Sequence, residues 1–493
     1  MQRGDSIMKV LKLEDENMYS ISKEHSKRLP FVRIRKIELK NFKGVVHGMI
    51  DFNCAKEFVP YNTKSDILGL YGQNGSGKSS LVEAISMVKG VMCGYKMASS
   101  WISMIDVEAD WAEIVIGFDF QYENGVCSIV EYSMKLVRQE RKKADVSEED
   151  SEDDDKYTIG IREEIIRTNM YATGEIGRMH PIIDTKKNLF CSQVFEKEYF
   201  ENYNSGIKDE LTYLKRKCFE DSRSFVFSEE VEKLLGEKTK KSKYFEILSE
   251  LDLFASYFLY VISTHTSGLV QLRAGIPIYI PMLDRPLILN ERKPISKETY
   301  GYVEEAIEKI NLVLCTIIPD LQLELKGIPT VMKDGEDGIY INILSVRGTR
   351  KYPFSYEADG IIKIVSILAD YIFAFNQGSA TLVIDEFDSG VFEYLLGELL
   401  QIFESDGKGQ FIFTSHNLRP LEVIDKKFIR FTTYDPHNRY YKLKSIGNTN
   451  NLRDMYLREV QLGKQDVEMY KRTKAFKIVK ALTKAGEENA IDG

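Results

Sequence analysis

Three short stretches hold residues whose types and spacing suit chemistry on a bound phosphate. Residues 72–80 read Gly72-Gln73-Asn74-Gly75-Ser76-Gly77-Lys78-Ser79-Ser80 and satisfy the pattern G-x-x-x-x-G-K-[ST] at Gly72, Gly77, Lys78 and Ser79. Glycines let backbone N–H groups curl round a β/γ-phosphate with no Cβ in the way, while Lys78 adds a charge and Ser79 a hydroxyl for Mg²⁺. Residues 381–386 (TLVIDE) place Asp385 and Glu386 at the end of an apolar run. This is the Walker B arrangement, in which Asp385 holds Mg²⁺ through water and Glu386 polarises the attacking water. Residues 410–416 (QFIFTSH) end another apolar run on His416, a place suited to a γ-phosphate contact. Taken singly, these stretches also read as a glycine-rich turn, a buried strand entering an acidic loop, and a hydrogen-bonded structural histidine. Together they favour a nucleotide.

The elements that must position these residues follow from apolar periodicity. Residues 67–71 (ILGLY) predict a short buried strand, and residues 80–88 put Leu81, Val82, Ile85 and Val88 on one helical face. The phosphate loop thus sits between strand and helix, with the helix N-terminus supplying aligned N–H dipoles. Parallel strands deliver their following residues to one carboxyl edge, so Lys78, Asp385, Glu386 and His416 are expected to converge.

Composition bounds the rest. The 493 residues allow two to four domains, and 43% hydrophobic with 29% charged residues supports a sizeable core. A net charge of -8 offers no general attraction for nucleic acid, so DNA contact would require a local basic patch. Cys54, Cys93, Cys127, Cys191, Cys218 and Cys315 lack the spacing of a zinc site or a disulfide framework. No run reaches the length of a membrane span and residues 1–10 lack a signal-peptide core, so a cytoplasmic protein with no membrane contact is expected.

Along the chain, residues 1–31 read as an N-terminal extension. Residues 32–42 alternate Val32, Ile34, Ile37 and Leu39 with Arg33, Arg35, Lys36 and Lys40, predicting a half-exposed edge strand whose basic residues are either solvated or near a base. Residues 111–120 and 126–137 alternate on either side of Glu123-Asn124-Gly125 and predict a hairpin. The division expected is 32–140 as the first half of an ATPase domain with a β lobe, then an acidic flexible loop over 141–158. Next come a mainly helical insertion over 159–339, including one helix over 244–262, and the second half of the domain over 340–445. A C-terminal helical segment spans 446–493. Within the insertion, Ser296 is expected to cap a helix over 297–313, and residues 273–294, with Pro277, Pro281, Pro286 and Pro294, to form an extended crossing. Residues 321–325, 338–346 and 351–354 predict a small sheet.

The order of motifs resembles the ATPase heads of the ABC superfamily, especially the structural-maintenance-of-chromosomes (SMC) and RecF-like branch. The resemblance rests on a strand ending Asn41-Phe42-Lys43-Gly44, the GQNGSGKS loop, a signature segment before a helix, the IDE strand and the final TSH. It implies an α/β, ABC-type P-loop ATPase with a mostly parallel central sheet, an antiparallel β lobe, a helical insertion and no long coiled coil. In that family a signature such as L-S-G-G-[EQ] reaches ATP held by the other subunit. Here residues 355–360 stand in its place in degenerate form, with Asp359 and Gly360 at the glycine turn, and Gln121 and Gln193 are candidates for the lid glutamine. A closer likeness, carried by EADGIIKI, IDEFDSGVFE and NLRDMY, is to bacterial AAA-type ATP-binding proteins of anti-phage defence modules (PARIS-like, OLD-like and Septu-like). It implies ATP and Mg²⁺ as cofactors, a homodimer or higher homo-oligomer formed through ATP, and a separate effector such as a nuclease. A DNA-clamping repair ATPase and a non-hydrolysing ATP-sensing scaffold remain the alternatives.

Overall fold

The computed structural model describes residues 30–52, 64–122, 125–140, 157–171, 175–190, 205–236, 243–263, 276–278, 287–289, 293–332, 335–442, 452–462 and 474–487. The acidic run, Gln193, the Glu123-Asn124 pair and most of the proline-rich crossing lie outside them. Three strands come first among the described residues: β1 (Phe31–Phe42), β2 (Val45–Asp51) and β3 (Asp66–Tyr71). The loop helix Lys78–Met92 follows, and then come β4 (Trp111–Gln121), β5 (Cys127–Glu140), β6 (Tyr157–Met170), β7 (Ile176–Asp184) and β8 (Asn188–Phe190).

All of these strands except β3 form a seven-stranded antiparallel sheet in the order β2-β1-β4-β5-β6-β7-β8. The β4–β5 hairpin appears where alternation called for it, with Gln121 opposite Cys127. β1 is not an edge strand, because β2 and β4 pair with its two sides. Of its basic residues one is buried and three are half-exposed and paired with acids. Arg33 is buried and donates to the carbonyls of Gly378, Lys64 and Lys408. Arg35 pairs with Asp119 at 2.8 Å, Lys36 with Glu38 at 3.1 Å and Lys40 with Glu113 at 2.9 Å. Alternation reveals which face is apolar but not whether the partner strands carry matching acids.

The second sheet holds the site. Its order is β19-β18-β3-β17-β16-β9, built from β9 (Leu259–Ile262), β16 (Thr381–Ile384), β17 (Gln410–Ser415), β18 (Ile429–Thr432) and β19 (Tyr440–Tyr441) around β3. Every pair is parallel except β18–β19. Leu81, Val82, Ile85 and Val88 of the loop helix are all buried in one cluster with Ile37 and Leu39 of the first sheet and Leu68 and Leu70 of β3. The helix is therefore clamped between the two sheets. The opposite sheet face is covered by helices Asp359–Asn376 and Glu393–Asp406, through Ile367, Tyr371, Leu400 and Phe403.

Residues 159–339 are less helical than expected. Helices Ser205–Glu220, Glu229–Gly236 and Lys243–Leu253 are present, but β6 to β8 extend the first sheet. The stretch read as one helix over 244–262 divides into Lys243–Leu253, a single π turn and β9, which lies beside β16 in the core. A short run such as LYVI is apolar on all sides, and periodicity alone cannot separate it from a buried helical turn. Two short strands, β10 (Ile276–Ile278) and β11 (Leu287–Leu289), pair in the expected crossing. Then β12 (Ile295–Ser296), β13 (Gln322–Val331), β14 (Asp337–Arg347) and β15 (Arg350–Pro353) make the small sheet. Ser296 caps helix Lys297–Ile317 by accepting from Thr299 N.

One side chain ties the two large sheets together. Gln410, fully buried, donates to Ile34 O and Asp66 Oδ2 at 2.8 Å each and accepts from Ile34 N at 3.1 Å. Ile34 borders a bulge in the β1–β4 ladder, where the regular pairing breaks. Gln410→Leu keeps the bulk but orphans these groups, and is expected to lower the unfolding free energy by roughly 1–3 kcal/mol in denaturant melts.

Candidate nucleotide site

β3 is buried along its whole length and delivers Gly72 to the carboxyl edge of the core sheet. A Cβ on Gly72 would stand 1.8 Å from Thr432 Oγ1, so only glycine fits. Gly75 and Gly77 hold φ of +76° and +91°, the left-handed region that glycine enters without strain. The loop helix has no side-chain cap at Gly77, which leaves its first N–H groups directed at the loop. Lys78 is 5% exposed, and its Nζ donates to Gly72 O at 2.8 Å and Gln73 O at 3.0 Å. Burial pulls its pKa down, while the carboxylates of Asp385, Glu386 and Asp388 pull it back up.

Register brings the remaining residues to the same edge. Ile384 lies opposite Phe413 and Ser415 opposite Tyr71, so Asp385, His416 and Gly72 all leave the sheet at one end. Asp385 is buried and accepts from Thr414 Oγ1 at 2.5 Å. Glu386 takes a left-handed φ of +49°. Three bonds hold it there: its N–H donates to Thr414 Oγ1 at 2.8 Å, Phe387 N donates to Thr414 O at 3.0 Å, and its own carbonyl accepts from Ser389 N at 3.0 Å. Asp388 Oδ2 accepts from the backbone N–H groups of His416 and Asn417 at 3.1 and 2.9 Å and so fixes the histidine loop. The His416 ring is exposed at the rim. Partial burial and then the Lys78 ammonium lower its pKa, against the pull of Asp388, Glu386 and Asp385.

A cleft of 370 Å³ opens between these elements, lined by Asn74 of the loop and by Glu386, Asp388, Ser389 and His416. Its walls are acidic and polar, with the Lys78 ammonium behind them. Among the described residues no group of three or more His, Cys, Asp or Glu could hold a metal by itself. Mg²⁺ beside a nucleotide takes one or two protein ligands, with phosphate oxygens and water supplying the rest. Asp385 and the half-buried Ser79 fit that role.

Asp359 and Gly360 do not line the cleft. They start the helix Asp359–Asn376 and abut the turn after Glu386, where a Cβ on Gly360 would fall 2.2 Å from Gly390 O. Gly360→Ala forces two backbone segments apart. It is expected to cost roughly 1–3 kcal/mol of stability, read from a denaturation midpoint. Gln121 is also away from the site: it pairs with Phe31, at the far end of β1 from Lys43, whose carbonyl accepts from Ser80 Oγ.

Several residues at the site were not singled out from the sequence. Thr414 fixes both acids, and Asp388 fixes the histidine loop. Lys363 is 3% exposed in the second turn of helix Asp359–Asn376, its pKa lowered by burial and raised by Asp385, Glu386 and Asp388. A charge inside the apolar run IIKIVSILA is the signal that could have found it.

Solved structures similar to this chain include the SMC head domain from Thermotoga maritima, 14% identical with a TM-score of 0.34 over 84% of this chain and 100% of that one. Another is the Smc head domain with an extended coiled coil bound to the C-terminal domain of ScpA, derived from Pyrococcus furiosus, at 12% identity and a TM-score of 0.37 over 88% and 100%. The recombination mediator protein RecF is 14% identical with a TM-score of 0.36 over 85% and 100%. Likeness this loose transfers no residue roles. No curated protein matches the sequence. The profile of the AAA domain family matches residues 36–310, more than half of the chain and the whole phosphate loop, and on that match the chain belongs to the AAA domain family.

Proposed function

We propose that the protein is an ATP-hydrolysing switch whose two copies enclose ATP between them and whose hydrolysis cycle controls a separate effector. The observation that carries this reading is the cleft in which Asn74 of the phosphate loop faces Glu386 and His416, delivered from strands more than 300 residues later. Lys78 and the loop N–H groups bind the triphosphate, while Asp385 and Ser79 hold Mg²⁺, which supplies charge neutralisation on the phosphates. Glu386 accepts a proton from the attacking water, and His416 contacts the γ-phosphate.

Asp359 and Gly360 lie outside their own chain's cleft, which supports a trans role in which the signature segment of one copy completes the site of the other. The resemblance to anti-phage ATPases points to an effector such as a nuclease. The DNA-clamp alternative leans on the basic residues of β1, of which Arg33 is buried on backbone carbonyls while Arg35, Lys36 and Lys40 are half-exposed and paired with acids. The reading is tested by measuring phosphate release with and without the product of the neighbouring reading frame, alongside native mass with and without ATP. ATP-dependent doubling of mass and partner-sensitive turnover are expected. A chain that stays monomeric with ATP and releases no phosphate under either condition defeats it.

A further inference from the structure

The segment β18–β19 supplies no residue to the lining of the cleft, yet its side chains meet the phosphate loop at Gly72, Ser76 and Gly77. Thr432 is fully buried beneath Gly72. Its hydroxyl contacts Tyr71 O at 3.2 Å and Ser76 Oγ. Ser76 Oγ donates to Gln73 O at 2.5 Å and Thr432 Oγ1 to Tyr71 O, so each hydroxyl shares its one proton between two contacts and either can be the donor between them. One residue past Ser76, the Tyr440 hydroxyl donates to Gly77 O at 3.0 Å. The Arg439 stem lies against Gly77, 3.1 Å from where a Cβ would stand, while its guanidinium donates to Thr433 O at 2.9 Å and to Gly44 O.

Gly75 and Gly77 are the positions where this loop could most easily take other shapes. Bonds at Ser76 and Gly77 fix the chain between and beside them. We propose that Thr432 and Tyr440 are positioning residues for the nucleotide: they hold the loop in its phosphate-receiving shape, so that binding does not bear the cost of ordering it. A preformed cradle serves substrate and transition state alike, so its loss raises KM and leaves kcat in place. The proposal rests on the reading of this loop as an ATP site.

The test compares Thr432→Val, Thr432→Ser and Tyr440→Phe with the parent and with Lys78→Ala, by titration with Mg-ATP, steady-state hydrolysis and unfolding midpoints without nucleotide. Thr432→Val and Tyr440→Phe are each expected to weaken ATP binding and raise KM by about 3- to 10-fold with kcat unchanged. Thr432→Ser, which keeps the hydroxyl, is expected to bind as the parent does. If Lys78→Ala loses ATP while Thr432→Val and Tyr440→Phe bind it like the parent, the positioning role is wrong and the ATP site stands. The positioning role is equally wrong if the variants lose kcat at constant KM in step with a lowered unfolding midpoint. Should Thr432→Val not fold, Tyr440→Phe decides. If Lys78→Ala binds ATP as tightly as the parent, it is the ATP site itself that fails.

Discussion

Glu386→Gln is expected to cut ATP hydrolysis by about 10²- to 10⁴-fold while leaving ATP binding intact. Glu386 lines the cleft, whereas its backbone is fixed by Thr414 and Ser389 through main-chain groups that a side-chain change does not touch. An amide of the same size cannot accept the proton of an attacking water at neutral pH. The substitution therefore removes proton transfer and little else, and the ATP-bound assembly should persist. Single-turnover phosphate release and native mass in the presence of ATP check the two halves of this expectation. Turnover equal to the parent would remove Glu386 from the role of base.

Lys78→Ala is expected to raise the dissociation constant for Mg-ATP by roughly 10- to 100-fold, the worth of a charge-assisted hydrogen bond at a partly desolvated site. Lys78 bonds to Gly72 O and Gln73 O and so lies inside the loop. Gln73 O keeps other partners in the variant, since it also accepts from Ser76 N and Ser76 Oγ. The fold should survive. Calorimetric titration reads the affinity, and an unchanged unfolding midpoint without ATP separates lost binding from lost structure.

The placement of Lys78, Asp385, Glu386 and His416 at one sheet edge was legible because each follows a short buried strand, and parallel strands share a carboxyl end. The Ser296 cap and the β4–β5 hairpin were legible for the same kind of local reason. What could not be read was long-range partnership. Nothing near Arg33 in sequence announces the carbonyls of Gly378 and Lys408, and nothing near Gly72 announces Thr432. β9 was read as helix because four buried apolar residues have no period to detect. Asp388 and Thr414 escaped notice because they act on backbone and on other side chains, which no spacing rule encodes.

The position of β3 in the core sheet has a consequence for how the chain must be made. Its hydrogen-bonding neighbours on both sides, β17 and β18, begin at Gln410 and Ile429. On the ribosome, an apolar strand and the phosphate loop attached to it wait with both edges bare while more than 300 further residues are synthesised. Folding of this chain is therefore dominated by late, high-contact-order pairing. A fragment ending before residue 410 should emerge as an aggregation-prone intermediate in need of a chaperone, even though it contains every residue of the phosphate loop.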